Sequence, residues 1–152
     1  MDIRFGFIIA CLAILSVANA ISKEYSARMI AAKEKCQKEF NVTDSVVEDF
    51  MKRNIKPESK SGKCMVHCIM EEMGMIDDHK INTEQVKLGN KEKWDDPALV
   101  ELANQVADTC DQEVFTEGRC KCLVAVEYMM CLATHGDEVG LPHVDFEDSQ
   151  DS

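Results

Sequence analysis

Aromatic residues are scarce in this 152-residue chain, at 6 %, with a single tryptophan and two tyrosines. Positive charge is short as well: 17 lysines and arginines face 28 aspartates and glutamates, for a net charge of −11. That sign disfavours a polyanionic phosphate partner, so a nucleic-acid-binding role is excluded. Three prolines and seven glycines are spread through the chain, which has no low-complexity segment and no internal repeat. Beyond residue 17 no apolar run approaches the roughly 20 residues needed to span a bilayer, so no membrane insertion is expected. Also missing are a Ser/His/Asp constellation, a phosphate-binding glycine loop and a paired-acid motif, and the residues point to a non-enzyme without a cofactor.

The chain does contain an apolar stretch from Phe5 to Val17 that leads to Ala18-Asn19-Ala20. A short apolar run before a small-x-small site is a secretory signal peptide. We expect cleavage after Ala20, with Cys11 lost and the charge unchanged because Asp2 and Arg4 leave together. Residues 21–140 then suit one compact domain with one core, and residues 141–152 form an acidic C-terminal tail.

Helical spacing dominates that domain. Tyr25, Met29, Ala32, Cys36 and Phe40 recur every three or four residues, which is one face of a first helix. Thr43 is a candidate cap for a second, with Val42 and Val47 placed as a hydrophobic staple. A third helix carries Cys64 and Cys68 one turn apart and stops at Gly74. Asn82 with Gln85 reads as a capping-box start for a short fourth helix, presenting Ile81, Val86 and Leu88 and ended by Gly89-Asn90. Lys91 to Asp95 reads as a linker holding Trp94. Asp96 followed by Pro97 starts a fifth helix, with Leu99, Leu102, Ala103, Val106 and Cys110 in one stripe. The sixth, Arg119 to Thr134, is apolar nearly all round and therefore buried, and Gly136 is its expected end. The fold class is all-α: a compact bundle of about six helices.

Seven cysteines remain after cleavage, in an oxidising compartment, so three disulfides and one leftover thiol are the natural count. Six paired cysteines allow 15 connectivities. Between Cys36 and Cys64 lie 27 residues, between Cys64 and Cys68 three, between Cys68 and Cys110 41, and between Cys122 and Cys131 eight. This pattern, with Cys122 as the fifth cysteine, resembles the insect odorant-binding proteins of the pheromone-binding and general odorant-binding family. The resemblance covers essentially the whole chain after the signal. It implies the pairs Cys36–Cys68, Cys64–Cys122 and Cys110–Cys131, so that Cys68 holds the first helix and Cys64 the last. Cys120 departs from the six-cysteine pattern. It is read as a free thiol near the surface, the alternatives being an intermolecular disulfide that makes a homodimer or substitution for Cys122.

A zinc site from Cys64, His67 and Cys68 is disfavoured because those cysteines fit the disulfide pattern. A secreted phospholipase A2 is also small, helical and disulfide-rich, but His67 is followed by Cys68 without an adjacent carboxylate, and no glycine-rich calcium loop lies upstream. The resemblance implies instead an apolar cavity for a small hydrophobic ligand, among the fourth to sixth helices and the tail. Its expected lining is Val86, Leu99, Leu102, Val106, Met129 and Leu132, with Met70 and Met73 from the third helix and Trp94 as a wall or a plug; methionine makes such a lining adaptable. Periodicity alone reads the same residues as plain core. Leu141, Val144 and Phe146 stand out in the charged tail, and the resemblance implies that this tail folds over the cavity mouth as a lid. His135 and His143 flank it beside Asp137, Glu138, Asp145 and Glu147, so its electrostatics would change between pH 7 and 5; exposed histidines without a switching role are the plainer reading. The expected function is an extracellular carrier of odorants or pheromones in sensillum lymph or another haemolymph-like fluid, with an olfactory receptor as a further candidate partner. The alternative is a secreted interaction or venom-type scaffold without a small ligand.

Overall fold

A computed structural model describes residues 21–146. The signal segment and the tail beyond Phe146, with Glu147, lie outside the described residues. Six helices follow in order: α1 (Lys23–Phe40), α2 (Asp44–Arg53), α3 (Lys60–Glu72), α4 (Thr83–Lys93), α5 (Pro97–Glu113) and α6 (Lys121–Glu138). Between α3 and α4 sits a two-stranded antiparallel hairpin, β1 (Ile76–Asp77) and β2 (Lys80–Ile81), with Ile76 opposite Ile81.

Local chemistry starts and stops these helices. Ser22, Ser59, Asn82 and Asp96 each cap a helix by accepting a backbone N–H, from Tyr25, Gly62, Gln85 and Ala98 respectively, which satisfies one of the orphan donors at a helix start. Thr43 occupies the cap position of α2 without a side-chain bond. Gly74, at φ +72°, ends α3. There Met75 N–H reaches Met70 C=O and Gly74 N–H reaches Glu71 C=O, the paired bonds of a Schellman turn. The same arrangement ends α6 at Gly140, φ +78°, with Leu141 N–H on Gly136 C=O and Gly140 N–H on Asp137 C=O. The helix therefore runs past Gly136, which is buried inside it, and the expected stop there is corrected to Gly140.

The pair Gly89-Asn90 likewise does not end α4. Both residues are buried within it. Gly89 brings the helix backbone against the Tyr25 ring, where a β-carbon would lie 3.2 Å from Cε2, and Asn90 donates to Asn104 Oδ1 on α5 at 3.1 Å. A glycine that permits close approach was mistaken for one that breaks a helix. As a result α4 reaches Lys93, and Trp94 caps it instead of lying in a linker. Leu88, expected to face inward, is 51 % exposed on the outer side.

α3 and α6 form the middle of the molecule. Met65, Val66 and Met70 from α3, and Val124, Ala125, Val126 and Tyr128 from α6, are essentially inaccessible to solvent. Cys36–Cys68 ties α1 to α3, Cys64–Cys122 ties α3 to α6, and Cys110–Cys131 ties α5 to α6. These are the pairs the cysteine spacing implied through the resemblance. Among the described residues Cys120 alone is unbridged, and it is exposed at the start of α6. Backbone N–H groups of Leu123 and Cys122 at that helix start hold its thiol below the usual range.

Candidate ligand-binding site

The bundle holds a partly open cavity of about 190 Å³ whose wall is mostly apolar. Each helix reaches it with the face that its own periodicity turns inward. Tyr25 and Met29 come from α1, Phe50 and Met51 from α2, and Val66, Ile69 and Met70 from α3. Met75 joins them from the turn before the hairpin. α5 contributes Ala103 and Val106, α6 contributes Met129, Met130 and Leu132, and Trp94 closes the end of α4. Six thioethers on the wall give it an adjustable, polarisable surface.

The tail adds to the wall. The Schellman turn at Gly140 sends Leu141 back over the last turn of α6, where its Cδ1 lies 3.5 Å from the position a Gly136 β-carbon would take. Leu141, Val144 and Phe146 all border the cavity, and the Phe146 ring lies 6.0 Å from that of Tyr25. Val144 and Phe146 also line a small crevice with Met29 and Met51, so the tail is packed against α1 and α2.

Of the residues expected to line the cavity, Met70, Trp94, Val106, Met129, Leu132, Leu141, Val144 and Phe146 border it. Met73 and Val86 are buried in the surrounding core, and Leu99 and Leu102 are half-buried on α5; none of these four is on the wall. Helical spacing identifies an inward stripe, and which members of the stripe meet empty space depends on what the opposite helix supplies. Besides the third to sixth helices and the tail, α1 and α2 also border the cavity, through Tyr25, Met29, Phe50 and Met51. Tyr25 and Met29 belong to the inward stripe that periodicity gives the first helix.

Polar groups on the wall are few. Asn90 is 3 % exposed and committed to Asn104. The Trp94 indole N–H is buried with no hydrogen-bond partner among the described residues. Lys93 borders the cavity with its ammonium 5.5 Å from the centre of the Trp94 ring and 5.8 Å from that of Tyr25, positions that aromatic quadrupoles favour. Asn54, Asp137 and His143 are the other polar residues on the wall.

His67 and His135 have structural partners. His67 is buried, and its Nε2–H donates to Asp78 C=O at 2.6 Å, pinning the hairpin to α3. Cys64 and Cys68 on either side are in disulfides, so no thiolates flank it. The same applies to the cluster of Cys110, Cys131 and His135, both of whose sulfurs are bridged to each other. His135 faces carboxylates of the helices, with Nε2 2.8 Å from Glu113 and Nδ1 2.8 Å from Glu138. These bonds, that to Glu113 first, hold its imidazole above the usual histidine range. It therefore clamps α6 to the end of α5, and His143 is the histidine that borders the cavity.

Residues 18–135 match the PBP/GOBP family. The chain belongs to that family. It is 29 % identical over 122 residues to general odorant-binding protein 28a of Drosophila melanogaster, covering 78 % of this chain and 82 % of that protein. The solved structure of odorant-binding protein dmelOBP28a from Drosophila melanogaster superposes with a TM-score of 0.67 at 28 % identity, covering 79 % of this chain and 98 % of that one. The Epiphyas postvittana pheromone binding protein 3 shares the fold, with a TM-score of 0.59 at 19 % identity over 73 % of this chain and 97 % of its own. The family's helical, three-disulfide architecture is thus the architecture described above. No helix among the described residues is long and apolar enough to cross a membrane.

Proposed function

We propose that the protein is a secreted, non-enzymatic carrier that takes up small hydrophobic molecules of the odorant or pheromone type, holds them in its cavity and releases them from an aqueous fluid such as sensillum lymph. The observation that carries this is the methionine-rich apolar cavity of about 190 Å³, bordered by the tail and framed by three disulfides in a chain of the PBP/GOBP family. A lining this apolar can bind by burial. About 300 Å² of ligand surface removed from water at ~25 cal/mol per Å² supplies at most about 7.5 kcal/mol, which corresponds to low micromolar dissociation.

Residues 141–152 act as the lid in this reading, and residues 1–20 as the signal peptide that exports the chain. Family membership supports a carrier over an enzyme, and delivery to an olfactory receptor is the final step it suggests. Displacement of a fluorescent naphthylamine probe tests the proposal. A carrier shows saturable binding at micromolar or tighter concentration, competed by odorant-sized apolar molecules, whereas failure to bind any of them would leave a scaffold without a ligand.

A further inference from the structure

Two polar groups on one stretch of the cavity wall lack the partner their chemistry calls for. Lys93 has no carboxylate within ion-pair distance among the described residues; its recorded contacts are the faces of Tyr25 and Trp94. Glu92 beside it is engaged by Arg28 through both carboxylate oxygens, at 2.9 and 3.0 Å. Asp137, the carboxylate on the wall, belongs to the last turn of α6 and makes no ion pair with Lys93. Trp94 is 7 % exposed, and its Nε1–H is wholly covered without an acceptor. Natural interiors rarely leave such a donor unpaired, because its water has been removed and nothing replaces it.

We propose that the cavity selects amphiphiles with a carboxylate head, which meets the Lys93 ammonium and the Trp94 indole N–H while the hydrocarbon chain runs among Met29, Met70 and Met129. This rests on the carrier reading. A carboxylate accepts several hydrogen bonds at once and forms charge-assisted bonds, stronger than neutral ones, to an ammonium. An alcohol or hydrocarbon leaves Lys93 with only its aromatic faces. The ligand oxygen reaches Nε1 by displacing the side chains that cover it, and the flexible thioethers of the wall allow that adjustment. The net charge of −11 makes the assignment specific. An anion gains nothing from the overall field of this protein, so its preference must come from the one cation on the wall.

Octanoate and 1-octanol, matched in chain length, separate head-group recognition from burial. Their dissociation constants are measured at pH 7.5 by displacement of the naphthylamine probe from the disulfide-intact protein. Wild type should bind octanoate about tenfold more tightly than 1-octanol, which is the size of one charge-assisted bond. In Lys93→Met the ratio of the two affinities should collapse to near unity, while Lys93→Arg should retain the octanoate preference. Trp94→Phe should weaken octanoate more than 1-octanol. Equal affinities in wild type, tighter 1-octanol binding, or loss of both ligands alike in Lys93→Met would overturn the assignment even though a cavity is present. If the probe and both ligands fail to bind wild type, the carrier reading itself falls and takes this assignment with it.

Discussion

Removing the Cys64–Cys122 bridge tests what keeps a hollow domain folded. The bridge spans a sequence separation of 58 and joins the two central helices, α3 and α6. By chain entropy that span corresponds to about 4.2 kcal/mol at 25 °C, against about 3.7 and 3.3 for the separations of 32 and 21 in the other two bridges. The cavity works in the opposite direction: 190 Å³ at ~24 cal/mol per Å³ costs about 4.6 kcal/mol relative to a filled core. One bridge therefore offsets most of the cavity. The perturbation is Cys64→Ser with Cys122→Ser, built on Cys120→Ser so that no thiol is left to re-pair. With an unfolding entropy of ~2.1 cal/mol/K per residue, the loss lowers the thermal midpoint by about 15 °C. Circular dichroism melts give the midpoint with and without ligand, and ligand at 100 times its Kd should restore about 2.7 kcal/mol of the loss. A drop of less than about 4 °C, or greater damage from removing Cys110–Cys131, would refute the reasoning.

Three further expectations follow from other parts of the fold. Truncation before Leu141 removes three apolar wall residues; losing about 1.5 kcal/mol of contact should weaken probe binding about tenfold, and an unchanged affinity would show that the tail is no lid. His135→Gln removes a group whose imidazole is held high by Glu113 and then Glu138. Stability from a raised pKa is fully present below the unfolded value of about 6.5 and is lost as pH rises through the folded value, so the urea midpoint of the variant should fall short of wild type most at pH 5–6 and converge with it in the alkaline range. A gap that does not vary with pH would count against the clamp. Tyr128→Phe deletes a hydroxyl that is buried with no partner among the described residues, whose phenol burial pushes well above the usual tyrosine range. Chemical denaturation should find the variant as stable as wild type or up to about 1 kcal/mol more so, and a clear loss would mean that the hydroxyl has a partner.

The parts of this architecture visible in the sequence are those set by local rules. Helix starts at Asn82 and Asp96, the left-handed stop at Gly74 and the inward stripes of α1 and α5 depend on neighbours three or four residues away. The parts that were not visible depend on distant partners. Gly89 and Gly136 have the composition of helix ends, yet each lies inside a helix because another element, Tyr25 in one case and Leu141 in the other, comes close to it. His67 and Asp78 are eleven residues apart, and nothing local marks them as the pair that anchors a hairpin. The cavity shows the same division. Inward-facing residues could be recognised from periodicity, but an empty volume is a property of several faces at once, so Met73 and Val86 could not be told from Met70 and Val106 until their opposite walls were known. Cys120 was separable from Cys122 only through the eight-residue gap to Cys131.

The contact between Gly89 and Tyr25 bears on how selectivity can be altered in such a protein. Tyr25 is a wall of the cavity, and the space behind its ring is occupied by the bare backbone of α4. Adding a single methyl group at position 89 puts a carbon 3.2 Å from the ring, and since a helix backbone yields less readily than a side chain in a close-packed interior, the ring is what moves. The size and shape of the chamber are thus governed in part by an atom that is absent behind the wall. Two chains with identical cavity linings can accept different ligands because one carries glycine and the other alanine where no ligand ever reaches.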